Sequence, residues 1–191
     1  MSEVFKYNTE EVVNQPIIPA SQPKVFNLVP ETDPILKQVL PEFNFNNPPV
    51  NPNEFASTLV ETCKMYRGIG LSANQCGFPY RVFVMGYEDN YVAFFNPELI
   101  NISKKEVHMI EGCLSFPFLG LRITRPEEIG VRYQDFNGNW QGTTLSGISA
   151  RCFQHELDHM NGIVYTDKVK PLALQQGMKK RNKIMKKIGL R

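Results

Sequence analysis

His155 and His159 stand four residues apart with Glu156 beside the first, in Gln154-His155-Glu156-Leu157-Asp158-His159, and no other stretch constrains the fold as much. On a helix this spacing sends both imidazoles out of one face, where they can grip a single cation, with Glu156 next to it. Neutral imidazole nitrogens are good ligands for zinc or iron, and a carboxylate beside an open coordination position can take a proton from water there. The pattern reads first as a hydrolase site.

Two histidines are one ligand short of a catalytic metal site, so the fold must bring a third donor from elsewhere. A downstream glutamate, as in one large class of metallopeptidases, is excluded: from Met160 to Arg191 the only acid is Asp167. The pattern H-E-x-x-H-x-x-G-x-x-H fails as well, because Gly162 matches its glycine but Tyr165 stands where its last histidine belongs. The third histidine of the chain is His108, which reads as a strand surface residue. An upstream thiolate remains, from Cys63, Cys76, Cys113 and Cys152. Cys113 leads, in Glu111-Gly112-Cys113-Leu114-Ser115, where Gly112 lets the backbone pass close to a ligand. Cys152 is its rival, three residues before His155, but three ligands at that spacing crowd one helix.

Three separated motifs line up with those of a known family. Gly68-Ile69-Gly70-Leu71-Ser72-Ala73-Asn74-Gln75, Glu111 to Ser115, and Gln154 to Gly162 together resemble the motifs of the peptide deformylases, and the resemblance spans roughly Phe26 to Lys170. It implies removal of the formyl group from the N-terminal formylmethionine of new polypeptides, with release of formate. It further implies that Cys113, His155 and His159 hold the metal, that Glu156 is the general base and then the acid, and that Gln75 and the backbone N–H of Leu114 stabilise the oxyanion. The implied ion is Fe2+, with Zn2+, Ni2+ or Co2+ able to occupy the site. Ser72 replaces a common alanine, a small-for-small change expected to alter packing little. Gly120 stands where many members carry a peptide-binding arginine, leaving Arg122 or Arg125 as candidate substitutes. Ile69, Gly70, Gly112, Phe118, Ile148 and Cys152 are the candidate residues around the methionine side chain. Competing readings are an HExxH-type metallopeptidase, disfavoured by the missing downstream ligand, and a non-catalytic metal- or ribosome-binding protein, disfavoured by Glu156 and Gln75.

A chain of 191 residues suits one domain with its own core. We divide it into an N-terminal extension (1–25), a catalytic domain (26–170) and a basic, helical C-terminal tail (171–191). No basic start followed by an apolar run opens it, no stretch approaches a membrane span, and four cysteines of ordinary spacing fit a reducing cytosol. The net charge of +2 hides an asymmetry: nine of the 21 Lys and Arg lie from Lys168 onward without an acid, so the other 12 face 19 acids. Lys179, Lys180, Arg181, Lys183, Lys186 and Lys187 form a solvated helix face or an electrostatic tether to ribosomal RNA.

Met1 to Gln22 shows no strong periodicity, and the Pro- and Asn-rich Pro41 to Pro52 reads as an extended loop. Phe55, Leu59, Cys63 and Tyr66 recur at helical intervals and predict a helix from about Asn53 to Arg67 with these residues in the core. Strands are expected at Arg81 to Tyr87, Tyr91 to Leu99, Leu121 to Thr124, Gly130 to Phe136 and, after the Asn137-Gly138 turn, Trp140 to Leu145. A buried helix over Ile148 to Met160, ended by Gly162, carries the metal motif. The fold class is α+β, with antiparallel or mixed sheets around a central metal-binding helix.

Overall fold

The computed structural model describes residues 24–190. The N-terminal stretch Met1 to Gln22 lies outside the described residues, as does Arg191. Asn51 starts the first helix, α1 (Pro52–Met65): its side chain accepts the N–H of Glu54 at 3.0 Å, and Pro52 needs no amide partner at the first helical position. Phe55, Leu59 and Cys63 bury one stripe of α1 as expected, but Tyr66 falls just past the helix and is 37% exposed.

The strands are β1 (Gly70–Ser72), β2 (Val82–Tyr87), β3 (Asn90–Ile102), β4 (Glu106–Cys113), β5 (Phe116–Pro126), β6 (Glu128–Gln134) and β7 (Trp140–Ser146). Five of them form a sheet in the order β1-β2-β3-β6-β7, while β4 and β5 form a separate hairpin. Every described pair is antiparallel. Along β5 the residues Leu119, Leu121, Ile123 and Arg125 point inward and alternate with exposed ones, which gives this hairpin one buried face. Strand β4 is invisible to sequence patterning because its most buried residue is the acid Glu111, at a position where alternation would call for an apolar side chain.

Between sheet and hairpin runs α2 (Gly147–Met160), buried on nearly every side. Its apolar stripe, Ala150, Phe153, Leu157 and Met160, packs on Phe83, Phe94, Ile129 and Val131 of the sheet. Phe153 meets Phe83 and Phe94 edge-on at 5.2 and 5.4 Å, and burial of such a ring is worth about 2–3 kcal/mol. With that stripe on the sheet, the polar side of the helix faces the β4–β5 hairpin. Beside α2, the buried face of the hairpin is also covered by α3 (Pro171–Lys187): Leu174 and Met178 pack with Leu119, Leu121 and Ile123, a methyl group on Gly177 would come within 2.7 Å of Leu121, and Arg181 is buried in a pair with Glu31. No helix among the described residues is long and apolar enough to cross a membrane.

Gly162 closes α2 in the left-handed region, at φ +69°, and a Cβ there would meet the carbonyl oxygen of Lys37 at 2.6 Å. Both the dihedral and the contact oppose a side chain. Gly162→Ala is expected to lower the unfolding free energy by about 2 kcal/mol or more, read as a shifted urea midpoint; an unchanged midpoint would mean that the segment from Lys37 moves away freely.

Candidate functional site

The polar face of α2 and the end of β4 meet at one point. A ligand atom from each of Cys113, His155 and His159 lies within 4.8 Å of the other two, and no other such trio occurs among the described residues. Sγ of Cys113 stands 3.3 Å from Nε2 of His159. In a tetrahedral site with one sulfur and one nitrogen ligand those atoms are about 3.5 Å apart, so the pair already has the right separation. Nδ1 of His155 meets Oε2 of Glu111 at 3.1 Å, which fixes the ring and leaves Nε2 for the cluster. The softness of the donor set suits a divalent zinc or iron ion.

Burial opposes charge on both imidazoles. At His155 the neighbouring Cys113 and Glu111 overcome it and carry the pKa up to about 10; at His159 burial and the adjacent His155 hold the ring neutral, well below its ordinary value. A cation arriving here displaces the His155 proton, so uptake is favoured as pH rises. Cys152, the rival ligand, lies outside the trio, and burial raises its thiol well above the usual range, as burial also takes Cys63 and Cys76 to about 12. Tyr165, at the position where another motif would carry a histidine, packs its ring 5.6 Å from that of His155 and donates its hydroxyl to the carbonyl of Leu119.

Glu111 anchors the arrangement. It accepts Nε and Nη2 of Arg125 at 2.7 and 2.8 Å, Nη1 of Arg151, and the His155 ring. Burial alone would raise its pKa, yet hydrogen bonds from Arg125 and His155 carry it down to about 2. Arg125 continues to Asp158 at 2.7 Å and is 3% exposed, so it cannot reach a peptide on the surface; of the two candidate substitutes for the missing arginine, only Arg122 remains on the exposed face of β5. The sequence offered Arg125 only as a peptide-binding candidate, and gave no sign that Arg125, Arg151 and Asp158 join Glu111 in one buried network.

Glu156 lies beside the trio, 3% exposed, with Oε2 accepting the Ser72 hydroxyl at 2.6 Å. Burial pushes its carboxyl up, while His155 and the Ser72 bond pull the other way. The serine is therefore more than a packing substitute for alanine. Backbone and helix nearly touch here: a Cβ on Gly70 would fall 2.5 Å from Oε1 of Glu156 and 2.6 Å from Sγ of Cys152. Gln75, in the short 3-10 helix Ala73–Cys76, accepts the Ser72 N–H through Oε1 at 2.9 Å, which turns its amide nitrogen toward Ser115 Oγ (3.0 Å) and Cys113 Sγ (3.3 Å).

These groups line a cavity of about 520 Å3. Ile69, Gly70, Gln75, Gly112, Cys113, Leu114, Phe118, Ile148, Cys152, His155 and Glu156 all border it, as the sequence suggested, and Tyr66, Arg67, Ile110 and Arg151 join them. Ile69, Phe118 and Ile148 are about half exposed at its rim, whereas Cys152 is buried at its wall. A Cβ on Gly112 would meet nothing within 4 Å, so this glycine opens onto the cleft rather than passing tightly against a neighbour. His108 lies away from the site on the exposed side of β4, bonded to Thr124.

A family model described as polypeptide deformylase matches residues 25–175. The peptide deformylase of Thermotoga petrophila is 39% identical over 140 residues, covering 73% of this chain and 84% of that one. That of the Wolbachia of Brugia malayi is 38% identical over 143 residues, covering 68% and 80%. Among solved structures, a Synechococcus elongatus peptide deformylase in complex with actinonin superposes with a TM-score of 0.77 at 29% identity over 85% of this chain and 90% of that one. The Thermotoga maritima peptide deformylase gives 0.70 at 35% identity over 77% and 99%.

Proposed function

The chain belongs to the peptide deformylase family, and from that premise we propose that it removes the formyl group from formylmethionyl peptides with the residues gathered at the β4–α2 junction. The observation that carries this assignment is the convergence of Cys113, His155 and His159, with Glu156 buried alongside. Those three side chains would hold a divalent cation, Fe2+ by family membership, with Zn2+, Ni2+ or Co2+ able to replace it. When bound, the cation supplies Lewis acidity, making hydroxide available near neutral pH and polarising the formyl carbonyl.

The remaining work falls to the chain. Glu156 accepts the proton of the attacking water and returns it to the departing amine, and the Ser72 hydroxyl keeps its carboxylate aimed. As the formyl carbon becomes tetrahedral, charge gathers on its oxygen. The amide nitrogen of Gln75, held in place by Ser72 and Ser115, donates to that oxygen together with the N–H of Leu114, a contribution of about 3 kcal/mol per donor. A neutral donor suits the position because it does not compete with the cation. The methionine side chain enters the cavity among Ile69, Phe118, Ile148 and Cys152, with Gly112 leaving room for the peptide backbone and Gly70 letting Glu156 and Cys152 close against the cavity wall. Protein purified without oxygen should release formate from a formyl-Met peptide and leave the acetyl-Met analogue intact, with elemental analysis naming the ion. Cleavage of an internal peptide bond would instead support a metallopeptidase.

We further propose weak contact with ribosomal RNA through α3, on Lys179, Lys180, Lys183, Lys186 and Lys187, all exposed on this helix. Arg181, grouped with them by sequence, is 6% exposed and paired with Glu31, so it holds the helix down instead. Changing the five lysines to glutamine should abolish co-sedimentation with ribosomes at low salt and leave deformylation of a short peptide intact. Unchanged sedimentation overturns the tether.

A further inference from the structure

We propose that Arg67 selects substrates by charge, favouring formylated peptides with Asp or Glu in the two residues that follow the methionine; this rests on the deformylase reading above. Two arginines border the cavity, and only one is committed. Arg151 is buried and spends its guanidinium on Glu111 and the carbonyls of Ile123 and Val107. Arg67 is exposed, and no carboxylate among the described residues lies within 4.0 Å of it. The acids of the lining, Glu111 and Glu156, are 6% and 3% exposed, and Glu111 is matched by two arginines. The mouth of the cleft therefore carries an unbalanced positive charge.

The backbone fixes where that charge sits. Arg67 lies in the left-handed region, at φ +56°, a conformation that favours glycine. It is pinned there by its N–H to the carbonyl of Lys64 and by the next N–H, of Gly68, to the carbonyl of Cys63. The hydroxyl of Tyr91 donates to the carbonyl of Gly68 at 2.7 Å, and a Cβ on Gly68 would strike Leu114 at 2.8 Å. The turn that carries Arg67 is thus clamped against the residue next to Cys113. With the formyl group at the Cys113, His155 and His159 cluster and the methionine side chain inside, the rest of the substrate leaves across the rim. Each further residue advances it about 3.3 Å, which keeps the second and third residues within reach of the arginine.

The test uses the metal-loaded, full-length protein and three amidated peptides, formyl-Met-Glu-Glu, formyl-Met-Gln-Gln and formyl-Met-Lys-Lys; amidation removes the terminal carboxylate, which would itself attract Arg67. At low salt kcat/KM should fall in that order, by roughly tenfold from the first to the last, a size set by exposed ion pairs. The difference should lie in KM, because the contact is made equally in ground and transition states. It should shrink at about 0.5 M salt as screening sets in. Arg67→Gln should flatten the order and Arg67→Glu reverse it, with thermal midpoints unchanged, which a structural role for Arg67 would not produce. Equal efficiency on the three peptides, or the parental order retained in Arg67→Glu, overturns this inference alone. Formate from none of the three overturns the deformylase reading and this inference with it.

Discussion

With Glu156 changed to glutamine, the protein is expected to keep its cation and lose turnover by a factor of about 100 to 10,000, the span of a general acid–base group. The amide has nearly the shape of the carboxylate and can still accept the Ser72 hydroxyl, so the cleft should be preserved. What it cannot do is accept a proton from water and return it to the amine. The loss should appear in kcat, with KM within a few fold of the parent, since the group acts on a proton in flight and not on the bound peptide. Stability should move the other way. Burial raises the pKa of Glu156, which means that its charged form is held in an unfavourable setting, and a neutral side chain of equal size relieves that. The thermal midpoint is therefore expected to hold or rise while activity collapses, a trade found where a site is built for chemistry rather than for folding. Parental kcat in a fully metal-loaded Glu156→Gln protein would remove Glu156 from the mechanism.

How much of this was legible in the sequence depends on how far apart the interacting residues are. The helix spacing of His155 and His159 is local information, and it placed α2, its ending at Gly162 and the two imidazoles correctly. Cys113 and Gln75 could be added because each lies in a short motif of its own, and the structure brings both to the same point. Strands β2, β3, β6 and β7 also followed from local patterns, as did the Asn137-Gly138 turn with Gly138 at φ +84°. What escaped was pairing between distant segments. Nothing near Arg125 announces that it will be buried against Glu111 and Asp158, or near Arg181 that Glu31 will cover it from 150 residues away. A buried charge looks, in sequence, like a surface charge. For the same reason β4 went unrecognised, and Ser72 passed for a packing substitution although its hydroxyl reaches Glu156 from 84 positions away. Tyr66 erred in the other direction: its spacing belongs to the apolar stripe of α1, but the helix stops one residue earlier and leaves the ring at the rim of the cleft.

The largest stability effect should come from that unannounced network, through Glu111→Gln. The substitution removes the one negative charge shared by Arg125, Arg151 and His155, all buried, while keeping a side chain of the same size. Removing one member of a buried ionic set typically costs 3–5 kcal/mol because its partners are left uncompensated. Here Arg125 retains Asp158, which places the expectation at the lower end. The depressed pKa of Glu111 gives a second figure. The carboxyl falls from an ordinary value of 4.5 to about 2 in the folded chain, despite burial that would raise it, and a shift of that size corresponds to about 3 kcal/mol. The sign follows from the depressed folded-state pKa: the contribution is complete above the unfolded value of 4.5 and disappears as pH drops toward about 2. Glu111→Gln has no such proton to bind. Urea unfolding of the chelator-treated proteins should therefore show the variant less stable by about 3 kcal/mol at pH 7, with the two curves drawing together as pH falls from 4.5 toward 2, since other carboxylates titrate alike in both. In parallel the variant should hold its cation 10- to 100-fold more weakly, roughly the usual consequence of disturbing a carboxylate that orients a ligating histidine. A stability gap that stays constant through the acid range would show that Glu111 is not the group carrying the buried charge.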